Sequence, residues 1–139
     1  MAFWLIKSEP ETWSWEQQVG RGAKGEPWDG VRNFQARNNM RAMKKGDRCL
    51  FYHSGKDREV VGVCEVIREA YPDPTAKDGD WSCVDVKAVA PLLKPVSLDQ
   101  VKATAALKDM ALVKNARLSV QPVTAKEWAA VAKMGGMKA

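Results

Sequence analysis

The strongest constraint on the fold is a pair of β-like segments separated by a short turn. Residues 48–53 and 59–67 are rich in β-branched and aromatic side chains, and residues 54–57 between them have the composition of a turn. This pattern predicts a β-hairpin near the middle of the chain. Residues 81–89 alternate between apolar and polar side chains, which predicts a further strand with one buried face.

Helix-capping signals predict where several helices begin. Ser14, Ser97 and Thr124 are each followed three residues later by Gln or Glu, the pattern of a capping box. They predict a helix to residue 19, a second to about residue 102 and a final helix ending at Gly135 and Gly136, beyond which the tail is expected to fray. Further helical turns are expected over residues 33–43 and 105–109, and strands over residues 3–7 and 118–120.

The order of these elements predicts the fold class. Strands and helices are interspersed with few β-α-β alternations, which indicates an α+β fold. We expect a mixed or antiparallel sheet of five or six strands, curled into a small barrel and flanked by short helices. At 139 residues, the chain 1–139 is expected to form a single domain.

Two details of the pattern carry further predictions. Gly62 interrupts an apolar strand, which indicates a bulge or a close backbone approach. Phe34, Arg37, Met40 and Met43 recur at three-residue spacing, which predicts one stripe of a helix. The glycine-rich residues 20–27 before them are interpreted as a flexible loop.

Composition limits the possible environments and cofactors. Hydrophobic residues make up 45% of the chain, but no apolar run reaches the roughly 18 residues of a membrane span. We therefore expect no membrane contact and a cytoplasmic location. Three widely spaced cysteines and one histidine do not supply the paired ligands of a structural zinc site, so neither a metal nor another cofactor is expected. The cysteines are interpreted as reduced core residues.

The stretch from Trp28 to Asn38 combines an aromatic face, amides and cations within a few residues. Trp28 precedes the turn dipeptide Asp29-Gly30, and Asn33 follows. Such a combination suits recognition of a nucleobase, because the ring stacks and the amide pairs with the base edge. The alternative, that Trp28 packs in the core and Asn33 caps a helix, remains open at this stage.

Net charge is +5, and much of the excess lies close to this stretch. A solvated helix face is the ordinary explanation for such a run. Its proximity to Trp28 also suggests contacts with a phosphate backbone. The candidate backbone contacts are Arg32, Arg37, Arg41, Lys44 and Lys45.

Catalytic motifs are a poor match. His53 is four residues from Cys49 in one predicted strand, roughly 13 Å away by strand rise, and the adjacent Ser54 points to the opposite face. No nucleophile elbow or Walker-type loop occurs in the sequence. Catalysis by His53 is therefore the least favoured hypothesis, and no catalytic residue is assigned.

Aromatic residues near strand ends favour a binding site instead. A barrel mouth would gather Trp4, Trp28, Tyr52 and Trp81, with polar groups from Ser8, Asn33, His53 and Ser54 beside them. The other tryptophans have helical positions and are expected in the core, for which Trp4 is a further candidate. They are Trp13, Trp15 and Trp128.

Several ordered motifs resemble one family, the EVE domains. The resemblance rests on residues 4–10 (WLIKSEP), 28–38 (WDGVRNFQARN) and 51–54 (FYHS). It continues through residues 62–66, 69–73 and 118–123, so it spans nearly the whole chain. EVE domains belong to the PUA-like superfamily and are relatives of YTH domains.

The resemblance implies a PUA-like pseudo-barrel with an aromatic pocket that reads a modified base in DNA or RNA. By motif position, Trp28 would be a wall of the pocket, with Ser119 and Gln121 near its rim and Arg32 as a phosphate or base contact. The other residues implied to line the pocket are Ser8, Asn33, Tyr52, His53 and Ser54.

The sequence therefore predicts a non-enzymatic module that captures a modified nucleobase. Extrusion of a base costs a few kcal/mol, so stacking and phosphate contacts must offset that cost. A pocket for a small planar metabolite or a free nucleoside is the alternative. A nucleic-acid-processing enzyme that uses His53 is a third, less favoured, hypothesis.

Overall fold

The computed structural model describes residues 1–137. In this part of the chain the strands are β1 Phe3–Ser8, β2 Glu26–Pro27, β3 Arg48–His53, β4 Glu59–Pro72, β5 Ser82–Ser97 and β6 Val120–Val123. The helices are α1 Trp15–Gly20, α2 Phe34–Ala42, α3 Leu98–Ala103, α4 Ala111–Lys114 and α5 Ala125–Met134. The predicted fraying of the tail falls partly on residues 138 and 139, which lie outside the described residues.

All six strands form one mixed sheet. Its order is β2-β5-β4-β3-β1-β6. The central strands β1 and β3 are parallel, whereas the other neighbouring strands are antiparallel. Strands β2 and β6 are its edges, so the barrel-like sheet is open. The predicted α+β class and mixed six-stranded sheet with flanking short helices are confirmed.

The predicted capping boxes at Ser14, Ser97 and Thr124 are all present. In each, the hydroxyl oxygen accepts a hydrogen bond from a backbone N–H of the first turn. A Gln or Glu side chain in turn accepts the N–H of the cap residue. Since these N–H groups have no partner within the helix, the boxes define where the helices begin.

Buried residues form two cores, one on each face of the sheet. In β1, Trp4 and Ile6 belong to the first core and Leu5 to the second. In β3, Phe51 belongs to the first core and Tyr52 to the second. This alternation is the ordinary consequence of strand geometry. It separates neighbouring residues of β3 onto opposite sides of the sheet.

Different helices cover the two cores. Trp15 of α1 and Met40 of α2 pack into the first core. The second core is covered by α3, α4 and α5, which contribute Val101, Leu112 and Trp128. The predicted core positions of Trp15 and Trp128 are confirmed. The first core is the one that continues to the candidate site.

Gly62 confirms the prediction of a close backbone approach in β4. A Cβ atom at this position would lie 2.5 Å from the ring carbons of Trp15. The pairing register between β4 and β5 also shifts between Val60 and Gly62. Because real Cβ contacts are not this short, Trp15 packs flat on the strand only where a glycine is present.

The structure differs from the predicted elements in the β4–β5 region. Both strands extend beyond the predicted residues 59–67 and 81–89, since they pair with each other through several register shifts. Strand β2 occupies part of the region interpreted as a loop, because it pairs with Val86 and Asp85 of β5. Such long-range pairing outweighs local turn signals.

Helix α2 buries part of the predicted stripe. Ala36, Met40 and Met43 are fully or almost fully buried, whereas Phe34 is 65% exposed. Of the predicted stripe, Met40 and Met43 therefore pack in the core, and Phe34 lies at the surface. Helix α4 and the start of β6 at Val120 also differ from the predicted elements.

The three cysteines are unpaired thiols in the cores, as predicted. Burial raises the pKa values of Cys49, Cys64 and Cys83. Across residues 1–137 we find no group of three or more side chains suited to hold a metal ion. None of the helices in that range is long and apolar enough to cross a membrane.

Candidate functional site

A cavity of about 620 Å³ is lined by residues from the end of β1 and from β2. It is lined by residues 7–9, Thr12, Trp13, residues 26–32 and Ser119. Volumes of this size are typical of sites for small ligands. Among the predicted site residues, Ser8, Trp28, Arg32 and Ser119 line this cavity.

Trp28 is held between the cavity and the first core. Its backbone N–H donates to the carbonyl oxygen of Val84 at 2.7 Å. Its ring meets Phe51 edge-on, with centroids 5.6 Å apart and an angle of 82° between the planes. Only 8% of the residue is exposed. Trp28 therefore packs in the core and also lines the cavity.

Trp13 provides a second indole on the cavity lining. Its helical position in the sequence predicted instead that it would lie in the protein core. It lies before the N-cap Ser14 of α1 and is only partly buried. Its Nε1–H donates to Oε1 of Gln18 at 2.8 Å, and the buried Gln18 amide donates to the carbonyl of Val86 at 3.0 Å. These bonds fix the ring from the side of β5.

Ser8 lines the cavity and also holds the backbone of Trp13 in place. Its hydroxyl donates to the carbonyl oxygen of Trp13 at 2.6 Å, and its own carbonyl accepts the N–H of Ser54 at 2.9 Å. The end of β1 thereby holds both the segment before α1 and the end of β3. We find no sequence pattern that would have assigned Trp13 to the cavity, since its position before a capping box resembles a hydrophobic staple.

Asp73 anchors the turn that follows Trp28. Its fully buried carboxylate accepts hydrogen bonds from Gly30 N–H at 2.8 Å and Arg32 Nη1 at 3.0 Å. Thr75 donates its backbone N–H and its hydroxyl to the other oxygen. Burial alone would raise the pKa of Asp73, but these hydrogen bonds outweigh it and lower the pKa to about 2.

Arg32 belongs to the same network. Its guanidinium forms an ion pair with Asp73. It also donates hydrogen bonds to Thr75 Oγ1 at 3.2 Å and to the carbonyl oxygen of the preceding residue, Val31, at 3.0 Å. These partners balance the charge and fix the side chain at the wall of the cavity. Arg32 therefore fixes one wall of the cavity, and its contact with a phosphate stays a prediction.

Three carboxylates on the cavity wall, those of Glu9, Glu26 and Asp29, were not predicted as site residues. Burial and the neighbouring Asp73 raise the pKa of Asp29, while burial also raises the pKa of Glu26. Glu26 additionally pairs with Arg21 at 3.1 Å. Ionised carboxylates accept hydrogen bonds and donate none, so this wall suits a ligand with N–H groups.

The predicted pocket residues at the end of β3 do not line the cavity. Tyr52 points to the second core, on the opposite face of the sheet, where the Nζ of Lys7 lies 5.8 Å from its ring centre. His53 is buried beneath α1, with Nε2 accepting the N–H of Trp15 at 3.0 Å and Nδ1 lying 3.5 Å from Asp57. The backbone N–H of Ser54 donates a hydrogen bond to the carbonyl oxygen of Ser8.

Three further predicted site residues do not line the cavity. The Oδ1 of Asn33 accepts the N–H of Ala36 at 2.9 Å, which confirms the alternative that Asn33 caps α2. Trp81 stacks on Phe34, with centroids 5.0 Å apart. Gln121 is fully buried and donates to the carbonyl of Leu118 at 2.8 Å, so it is not at a rim.

The remaining basic residues run along α2, away from the cavity. Arg37 donates to the carbonyl of Asp80 at 2.9 Å, and Arg41 pairs with the Asp80 carboxylate at 2.7 Å. Lys44 and Lys45 follow the end of α2, where they border a second depression beside the N-terminus. The predicted basic segment is therefore a surface that begins near the cavity and extends past it.

The fold and the cavity together define a class of protein: an α+β domain with an open, curled mixed sheet and a cavity between two indoles at its edge. Comparison with known proteins identifies the family. The sequence model of the EVE domain matches residues 2–134, and the chain belongs to this family. The predicted family is thus confirmed.

Relatives support this assignment. Thymocyte nuclear protein 1 of Mus musculus is 39% identical, over 91% of this chain and 70% of its own length. A crystal structure of human THYN1 in complex with DNA containing 5-methylcytosine superimposes with a TM-score of 0.90 at 33% identity and covers all of both chains. The YTH domain of a Zygosaccharomyces rouxii protein shares the fold alone, with a TM-score of 0.59 at 20% identity over 96% and 86% of the two chains.

Proposed function

We propose that the chain is a non-enzymatic nucleic-acid-binding module that captures a modified nucleobase of DNA or RNA in the cavity between Trp13 and Trp28. The observation that carries the proposal is the pair of indoles on one open cavity. The DNA containing 5-methylcytosine bound by human THYN1, a relative of matching fold, supports the same class of ligand.

Indole faces suit a flat heterocycle. Stacking of a base on an aromatic side chain contributes about 1–3 kcal/mol, which is enough to offset much of the cost of extruding that base. Both indoles are positioned without a ligand. The Trp13 ring donates a hydrogen bond to Gln18, and the Trp28 ring packs edge-on against Phe51 while its backbone N–H donates to Val84. Such preorganisation lowers the entropic cost of binding.

The cavity wall favours a base that carries an amino group. Asp29 and Glu26 accept hydrogen bonds, and the exocyclic amino groups of cytosine and adenine donate them. A methyl group on such a base would contact apolar ring surface. Methylated cytosine and methylated adenine are therefore the first ligands to test.

A free nucleoside is the second candidate ligand, with nucleic acid irrelevant. It is favoured by the carboxylates of Glu9, Glu26 and Asp29 on the lining, which oppose the approach of a phosphate. An enzymatic function that uses His53 has no comparable support. Both ring nitrogens of this buried histidine face protein groups, and the side chain does not border the cavity.

Titrations of matched ligands test the proposal. DNA and RNA oligonucleotides, each unmodified or carrying 5-methylcytosine or N6-methyladenine, are compared with the free nucleosides at about 50 mM and about 200 mM salt. We expect one modified oligonucleotide to bind best. If a free nucleoside binds as tightly as the oligonucleotide that contains it, the second candidate is the function. If modified and unmodified oligonucleotides bind alike, base capture is overturned.

Two substitutions at one position isolate the stacking face. Trp13→Ala and Trp13→Phe both remove the hydrogen bond to Gln18, but only Trp13→Phe keeps an aromatic face. We expect Trp13→Ala to weaken binding of the modified oligonucleotide by about tenfold and Trp13→Phe to restore most of it. Equal affinities of the two variants would contradict a stacking role for Trp13.

A further inference from the structure

A second aromatic surface lies outside the cavity. Phe34, the first residue of α2, is 65% exposed. One face of its ring stacks on Trp81, with centroids 5.0 Å apart and 18° between the planes. Trp81 thus covers one face of the Phe34 ring, and much of the rest of Phe34 is in contact with water.

Two guanidinium groups flank this stacked pair. That of Arg37 lies 5.0 Å from the ring centre of Phe34 and 5.7 Å from that of Trp81. It donates hydrogen bonds to a carbonyl of Asp80 and an amide of Asn38, both neutral acceptors. The guanidinium of Arg32 lies 5.6 Å from the ring centre of Trp81. An exposed ring beside a cation is the combination that binds a nucleobase and its phosphate.

The surface is continuous with the cavity. Arg32 lines the cavity and also lies over Trp81, so one side chain borders both places. Val31 lines the cavity as well, and Phe34 follows three residues later on the chain. A nucleic-acid strand with one base in the cavity would therefore continue past Arg32 onto the Phe34–Trp81 pair.

We propose that Phe34 is a stacking platform for a nucleotide adjacent to the captured base. This inference rests on the proposed function and deepens it. The platform would replace the stacking partner that neighbouring bases lose when one base leaves the helix, as apolar wedges do in other nucleic-acid-binding proteins. It also explains why a large apolar ring occupies the exposed side of α2.

Substitutions of Phe34 and a distant control test the platform. Phe34→Leu keeps apolar bulk over Trp81 but removes the aromatic face, whereas Phe34→Tyr keeps the face. Leu93→Ala is the control, because Leu93 is 80% exposed and lies by Gly136 rather than at the cavity. We expect Phe34→Leu to weaken binding of the modified oligonucleotide about fivefold or more and the other two variants to bind as the parent does.

Two further measurements separate this inference from the proposed function. Phe34→Leu should bind the free modified nucleoside as the parent protein does, because the nucleoside has no neighbouring base. The fluorescence of 2-aminopurine placed next to the modified base should be higher in the complex with Phe34→Leu than in the complex with the parent protein, because only the parent protein stacks that base on Phe34.

Several outcomes would overturn the platform. One is that Phe34→Leu and the parent protein bind the oligonucleotide equally well while Trp13→Ala does not, which leaves the proposed function in place. Another is an equal loss of affinity for nucleoside and oligonucleotide, which would make Phe34 a part of the cavity. If the parent protein binds no modified oligonucleotide, the proposed function and the platform both fail.

Discussion

Residues 28–32 and 52–54 have similar compositions but different environments. Each segment places a large aromatic residue beside polar and turn-forming ones. Residues 28–32 line an open cavity, whereas Tyr52 and His53 are buried. The difference comes from their positions in the sheet. Tyr52 and His53 end β3, which pairs with a strand on either side, while Trp28 follows β2 at the edge.

Coverage by other elements, rather than residue type, therefore decides which aromatic residues line the cavity. On one face of β3, the second core and its helices cover Tyr52, and on the other, α1 covers His53. At residues 28–32, two backbone hydrogen bonds, to Val84 and Asp73, hold the segment at the edge of the sheet. The comparison predicts that substitutions in the first segment change binding and those in the second change mainly stability.

The largest effect is expected for Trp28→Ala, which tests whether one residue belongs to both a core and a site. Removal of a buried tryptophan should lower the free energy of unfolding by about 3–5 kcal/mol, measured by urea denaturation. Affinity for a modified oligonucleotide should fall by more than about tenfold in conditions where the variant remains folded. Unchanged affinity in the folded variant would remove Trp28 from the site.

Asp73→Asn tests the anchor of residues 28–32. A pKa of about 2, against the ordinary value of 3.8, corresponds to about 2 kcal/mol of stability that requires the ionised carboxylate. Because the pKa is lower in the folded state, this stabilisation is complete above pH 4 and is lost as the pH falls from about 4 to about 2.

The measurement is the free energy of unfolding of the parent protein and Asp73→Asn over this pH range. We expect the variant to be about 2 kcal/mol less stable at neutral pH, with the difference disappearing near pH 2. Asp80→Asn is a suitable control, because the Asp80 side chain is 82% exposed. A difference between parent and Asp73→Asn that does not change with pH would show that the anchor does not depend on charge.

His53→Ala tests the other side of the comparison. The substitution leaves the N–H of Trp15 without its acceptor, so we expect a loss of about 1–2 kcal/mol in unfolding free energy. Affinity for the modified oligonucleotide, measured by titration of the folded protein, should stay within about twofold of the parent. A large loss of affinity without a loss of stability would place His53 in the site after all.

The smallest effect is expected at the far end of α2. Lys44→Glu with Lys45→Glu should weaken binding of modified and unmodified sequences equally, by a few-fold at low salt, and lower the slope of affinity against salt concentration. Both lysines follow α2 and border a different depression from the cavity. An unchanged salt slope would mean that they form only a solvated surface.

The elements that depend on local sequence were well predicted. The capping boxes at Ser14, Ser97 and Thr124 and the strand at residues 48–53 are present as expected. Short-range hydrogen bonds and the alternation of side chains determine these elements, so a few neighbouring residues are sufficient to specify them. The predicted site overlaps the cavity only in part: Trp13, Glu26 and Asp29 line the cavity and were not predicted, while Tyr52, His53 and Gln121 were predicted and do not line it.

By itself, the sequence determined where the capped helices begin, the class of the fold and the family to which the chain belongs. Only the tertiary structure decided which aromatic residues line one cavity and which basic side chains form ion pairs with carboxylates of the protein. These outcomes depend on contacts between residues far apart in the chain, such as Gly30 with Asp73 and Trp15 with His53. A side chain's exposure is set by whatever packs over it, and that information is not contained in its local sequence.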